Sequence, residues 1–122
     1  MPTPVDLRCL ALCLPEVEEV EAWGHPTFRV RGKMVAIVAD DGRSARVKAT
    51  REAQVALTGS DPETFSVAPY LGHRGWVRVD LERVDPEELC ELLAEAWLTT
   101  APKRLVREHE IGLIERLYDR LP

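Results

Sequence analysis

Residues 27–49 are TFRVRGKMVAIVADDGRSARVKA. Polar and apolar side chains alternate over residues 27–31, which is the period of a half-buried strand. The nearly continuous apolar run over residues 33–39 is typical of a central strand. Asp40-Asp41-Gly42 is a hairpin signal that precedes a further strand over residues 43–49. This stretch therefore predicts three consecutive strands of an antiparallel sheet.

Helical patterns lie on both sides of these strands. Residues 5–14 have helical spacing between two prolines, and residues 51–57 form a short helix behind the capping residue Thr50. After Asp85, a second N-cap, apolar residues recur at helical spacing as far as Trp97. A strand over residues 76–81 precedes that helix.

The predicted architecture is a single α+β domain over residues 1–122, with a mostly antiparallel sheet and helices on one face. Its element order is α-β-β-β-α-β-α plus a C-terminal helix, and residues 103–122 form a helical extension. Residues 16–21 suit a short strand or a turn, and residues 65–67 suit a short extended piece in a loop. The apolar phase of each element predicts one shared core: Phe28, Val30, Val47, Val77, Val79, Leu89, Leu92 and Leu93.

Two motifs link the chain to a family. Residues 23–30 are WGHPTFRV, followed at once by Arg31-Gly32-Lys33, and residues 70–77 are YLGHRGWV. With these motifs the chain resembles the MmcQ/YjbR family over about residues 5–107. The resemblance implies a frataxin-like or double-wing α+β fold and DNA binding. Ala96-Trp97 departs from the Ser-Tyr-like pair that the resemblance leads us to expect there.

Basic residues are concentrated in the predicted hairpin. Residues 29–52 hold seven basic and three acidic residues, whereas the whole chain has a net charge of −5. Strand alternation places one set of side chains opposite the core face. The candidate nucleic-acid-binding residues on that face are Arg29, Arg31, Arg46, Lys48, Trp76 and Arg78. Their cations would neutralise phosphates while the Trp76 ring stacks on an exposed base.

A plainer interpretation competes with this site. In it the face is solvated, its charges pair across strands with Asp80 and its neighbours, and the C-terminal segment covers Trp76. Four further residues near the face are auxiliary candidates. They are His25, Lys33, His73 and Arg74.

No catalytic, cofactor or metal site is predicted. The three histidines are scattered, and no serine or cysteine has the sequence context of a nucleophile. The acidic helix after Asp85 is similar to a frataxin-like iron-binding ridge, but a single helix seldom supplies the convergent oxygens that such a cation needs. Cys9, Cys13 and Cys90 lie among leucines, which predicts that they are buried.

The sequence leaves several functions and binding partners open. A non-catalytic nucleic-acid-binding protein is the leading hypothesis, a protein-interaction adapter using the acidic helix or the tail is the alternative, and a metal-binding or enzymatic role is third. The tail has apolar residues on one side of a predicted helix over residues 105–121, which would pack on its own domain, across the open face of the sheet, or in a homodimer. The N-terminus lacks the features of a secretory signal and no apolar run is long enough for a membrane span, so a cytoplasmic location is expected.

Overall fold

A computed structural model describes residues 2–121, which form six strands and five α-helices. The helices are α1 Pro4–Cys13, α2 Arg51–Ser60, α3 Pro86–Leu98, α4 Lys103–His109 and α5 Leu113–Tyr118. The strands are β1 Val17–Ala22, β2 His25–Val30, β3 Lys33–Val38, β4 Ser44–Val47, β5 Phe65–Val67 and β6 Val77–Asp80. None of these helices is long and apolar enough to span a membrane. The predicted α+β class is confirmed, while Met1 and Pro122, the ends of the predicted domain, lie outside the described residues.

One antiparallel sheet contains all six strands, in the order β1-β2-β3-β4-β6-β5. The predicted order lacks β1 and β5, which are the two edge strands. Four of the six residues of β1 are exposed, and β5 has three residues of which one is buried. Because edge strands bury few side chains, their sequences carry little of the alternation that identifies a strand.

The sheet has an irregularity that gives β3 two apolar faces. The register passes from Phe28↔Ala36 to Arg29↔Met34, which leaves Val35 as the extra residue of a β-bulge. Val35 and Ala36 are both fully buried in the main core. Met34 and Ile37 belong instead to a small cluster on the opposite face. The uninterrupted apolar run of β3 therefore reflects burial on both sides of the sheet.

The main core lies between the sheet and α1, α3 and α5. Of the eight predicted core residues, seven are fully buried there, and Leu92 is half-buried against the same cluster. The predicted helix starts are also present. Asp85 accepts a hydrogen bond from the Glu87 amide at 2.9 Å, and Thr50 accepts one from the Ala53 amide at 3.1 Å. These caps fix where α3 and α2 begin relative to the sheet.

The tail differs from the single predicted helix. Gly112, at a φ of 77°, divides it into α4 and α5, because the left-handed conformation interrupts the helix. Leu113 and Leu117 are buried against the domain's own core, and α5 contacts α3 and α1. The tail thus packs on the helical side of the sheet and leaves the open face free of its side chains, while Ile111 is 88% exposed.

Candidate functional site

The open face of the sheet carries a second, smaller apolar cluster. Trp76, Ile37 and Ala68 are buried in it, with Met34 and Leu71 packed against them. Trp76 is 4% exposed, so the expectation of an exposed ring that stacks on a base is wrong. The segment that precedes β6 folds over the ring, and the C-terminal segment takes no part in this cluster.

A basic pocket lies over this cluster. It has a volume of about 460 Å³ and contains no carboxylate among its lining residues. Its walls are Arg29, Gly32, Lys33, Met34, Lys48, Leu71, Arg74 and Trp76. Within residues 2–121, none of its four cationic side chains forms a salt bridge. The four cationic side chains therefore line one concave site that supplies no carboxylate counter-charge.

Lys48 is one of the two partly buried cations of this pocket, together with Arg29. It stands half-buried in the sheet, and burial lowers the pKa of its ammonium group, with a further lowering from the charge of Lys33. Both causes disfavour the protonated form. An anion bound between Lys48 and Lys33 would relieve the repulsion that lowers this pKa.

The turn that carries Arg74 is held down by α2. The Gln54 side-chain amide donates hydrogen bonds to the carbonyl oxygens of Gly72 and Trp76, both at 2.8 Å. Gln54 is buried, so these bonds are made away from water. Arg29 is fixed from the other side of the pocket, where it donates to Thr27 Oγ1 at 3.1 Å and to the Gly32 carbonyl at 3.2 Å.

Two predicted site residues lie elsewhere. Arg31 occupies a two-residue turn with Gly32, at φ values of 50° and 80°, so the strand alternation ends at Val30. Its guanidinium donates to Glu16 at 2.7 Å, beside α4 and away from the basic pocket. Arg78 does lie on the open face of the sheet, as strand alternation predicted, but its guanidinium forms an ion pair with Asp41 at 3.0 Å.

Asp41 is itself tightly held. The Arg43 amide, the Ser44 amide and hydroxyl, and Arg78 all donate to its carboxylate and hold its pKa well below the usual range. Asp80 is paired as well, at 2.8 Å from Arg43. The plainer interpretation is therefore correct for Arg78, whose charge is neutralised, although Arg43 rather than the predicted bases is the partner of Asp80.

An aromatic pocket adjoins the basic one. It has a volume of about 390 Å³, and the lining residues are Trp23, His25, Met34, Ile37, Arg46, Tyr70 and Leu71. Met34 and Leu71 are shared by the two pockets. Arg46 and the auxiliary candidate His25 belong to this pocket, whereas His73 lines neither. Trp23 and Tyr70 were not predicted as site residues, although each stands in one of the two family motifs.

The remaining polar chemistry is sparse. His25 Nδ1 lies 3.1 Å from Asp40 Oδ1 without a well-aligned hydrogen bond. Cys90 is buried and Cys13 half-buried, but Cys9 is exposed, which contradicts its predicted burial because it lies on the solvent side of α1. Residues 2–121 contain no group of three or more side chains placed to hold a metal ion.

Comparison with known proteins gives the same fold. A family model described as YjbR matches residues 12–99. The crystal structure of Deinococcus radiodurans protein DR2400, described as a DUF419 domain, is similar over 93% of this chain and 88% of that chain, with 25% identity and a TM-score of 0.75. No curated protein matches this chain at a significant level. All the residues that line the basic and aromatic pockets lie inside the matched segment.

Proposed function

We propose, from the premise that this chain belongs to the YjbR family, that it binds nucleic acid without catalysing a reaction. The observation that carries the proposal is the basic pocket on the open face of the sheet, where four cations meet no carboxylate. Phosphates are the ligand that best complements such a site, because each one neutralises a charge that the fold leaves unpaired.

The negative charge of the whole chain does not oppose this function. Of the acidic residues, Asp41 and Asp80 are engaged by Arg78 and Arg43, and the glutamates of α3 lie on the helical side of the sheet. Association depends on the local potential around the binding surface as well as on net charge. The basic pocket therefore offers a polyanion a locally positive surface, although the chain as a whole is negatively charged.

We expect binding to depend steeply on salt. With about four phosphates neutralised, affinity for a fluorescent oligonucleotide should fall roughly 100-fold between about 50 and 200 mM salt. Lys33→Glu and Arg74→Glu change two exposed residues of the pocket, and each should weaken binding and reduce the salt slope by about one unit. Fluorescence anisotropy across a salt series measures both effects.

Arg104→Glu is the matched control. It makes the same change in net charge, but Arg104 lies on α4 and is 87% exposed on the helical side. Its effect on affinity should be small. If Arg104→Glu weakens binding as much as Lys33→Glu, attraction is diffuse and the basic pocket is not the site. Absence of binding at low salt contradicts the proposed function itself.

Lys48 predicts a pH dependence. Its pKa in the folded protein lies below the ordinary value of 10.5, and an anion favours its protonated form. Affinity for the oligonucleotide should therefore decline as pH rises through that lowered pKa, at a lower pH than for an exposed lysine. Lys48→Arg keeps its charge at these pH values and should remove this part of the decline. Identical pH profiles for the two proteins would show that Lys48 does not contact the anion.

A further inference from the structure

The aromatic pocket presents two large rings to solvent. Trp23 is 76% exposed and Tyr70 is 88% exposed, and both line the same pocket of about 390 Å³. Its volume is within the range of about 300 to 1,000 Å³ typical of small-molecule sites. The other lining residues, Met34, Ile37 and Leu71, give it an apolar floor. A flat apolar ligand would be enclosed by rings above an apolar surface.

The backbone holds both rings at a local cost. Trp23 has a φ of 53° and Tyr70 a φ of 64°, in the left-handed region that bulky residues rarely adopt. Such a conformation costs about 1 to 2 kcal/mol for a non-glycine residue. Trp23 also occupies the first central position of the β1–β2 turn, where Asn is preferred. Because both rings are exposed, hydrophobic burial does not offset the conformational free energy of the left-handed backbone. The stability of the fold therefore does not account for an aromatic side chain at either position.

A free hydrogen-bond donor lies in the same pocket. Arg46 lies directly opposite Arg78 in the β4–β6 pair of strands. Of these two arginines, Arg78 alone forms an ion pair with Asp41. Within residues 2–121, the Arg46 side chain has neither a salt bridge nor a hydrogen bond. Two arginines directly opposite each other destabilise a sheet. The guanidinium of Arg46 is available to donate to the oxygen and nitrogen acceptors on the edge of a ring.

We propose that the aromatic pocket holds an unpaired nucleobase of a single-stranded nucleic acid whose backbone phosphates occupy the basic pocket. The two pockets share Met34 and Leu71, so a base and its neighbouring phosphates are placed side by side. The base stacks on Trp23 and Tyr70, and Arg46 donates to its edge. This inference rests on the proposed function and narrows it, because a base paired inside a duplex has no free face for these rings.

Three probes of about ten nucleotides separate the contributions: a thymidine single strand, an abasic strand with the same phosphates, and a duplex. We expect the thymidine strand to bind tightest. Trp23→Asn and Tyr70→Asn should each weaken its binding about 5- to 100-fold and leave binding of the abasic strand unchanged. Both variants should be at least as stable as the parent protein in thermal unfolding, because Asn tolerates the left-handed conformation.

Two further variants exclude indirect effects. Ile111→Asn removes an apolar side chain that is 88% exposed on the tail, and it should leave all affinities unchanged. Trp23→Phe keeps a stacking ring and should keep most of the affinity. Since Trp76 and Trp97 are buried, Trp23 dominates fluorescence quenching by a bound base, and Trp23→Phe should abolish that quenching.

The outcomes distinguish the two proposals. Equal binding of the thymidine and abasic strands, or tighter binding of the duplex, overturns the nucleobase pocket and leaves phosphate binding by the basic pocket intact. Failure of all three probes to bind at low salt overturns the proposed function and this inference together. Loss of affinity in Trp23→Asn with equal loss for the abasic strand also overturns the nucleobase pocket.

Discussion

Replacing Trp97 with Ala is expected to lower the free energy of unfolding by about 3 to 5 kcal/mol. Trp97 is fully buried and is among the largest side chains of the core. Its indole N–H donates to the Pro15 carbonyl at 2.9 Å, and its ring meets the edge of His109 at a centroid distance of 6.5 Å. The residue therefore joins α3 to the segment before β1 and to the end of α4. Urea unfolding followed by far-ultraviolet circular dichroism measures the change.

Trp97→Phe separates packing from hydrogen bonding. It keeps an aromatic ring in the core and leaves the Pro15 carbonyl without this donor, so we expect a smaller loss of about 1 to 3 kcal/mol. If Trp97→Ala changes the free energy of unfolding by less than the phenylalanine variant does, the indole is not the anchor described. Through His109 the Trp97 ring also contacts the C-terminal extension over residues 103–122.

Replacing Gly75 with Ala is expected to destabilise the fold by about 2 to 5 kcal/mol. Gly75 has a φ of 96°, and an added Cβ would lie 2.6 Å from the Ala49 carbonyl oxygen and 2.9 Å from the Arg51 nitrogen. These are backbone atoms at the junction of β4 and α2, which cannot turn away as a flexible side chain does. The turn that carries Arg74 and Leu71 must then shift, so the variant should also bind oligonucleotides more weakly. Thermal unfolding and anisotropy report the two effects.

Gly42→Ala is the control for the backbone conformation alone. Gly42 also has a positive φ, of 67°, but an added Cβ there meets no atom within 4 Å. It should cost about 1 kcal/mol. A similar cost for the two variants would mean that the close approach of Gly75 to residues 49–51 is unimportant.

Local alternation was enough to predict the side of the sheet on which a residue lies. Val77 and Val79 are fully buried while Arg78 is half-buried on the other face, as their positions in β6 required. Of the bases that the same rule placed on the open face, Arg29 and Lys48 line the basic pocket. Lys33 and Arg74, which were auxiliary candidates near the face, join them there. Such predictions succeed because the period of a strand depends on neighbouring residues alone.

Long-range packing was beyond this rule. Strand alternation correctly places Trp76 on the open face of the sheet, but the loop that includes Ala68 and Leu71 covers its ring. The position of a loop on the surface depends on residues distant in sequence, so no local pattern predicts it. Arg31 was assigned to the strand because it continues the alternation, whereas the left-handed turn with Gly32 directs it to Glu16. Trp23 and Tyr70 were visible in the motifs, but their exposure depends on turns whose conformation a hydrophobicity pattern does not contain.

The edges of the sheet determine how the protein behaves at high concentration. Within residues 2–121, β1 pairs with β2 alone, so its outer side presents unpaired backbone amides and carbonyls. Glu19 on this strand pairs with Arg8, whereas Glu18 and Glu21 are exposed, and repulsion between such side chains opposes the docking of a second copy. The opposite edge, β5, is three residues long and offers little length for pairing. The sheet is therefore protected at both ends against growth into fibrils.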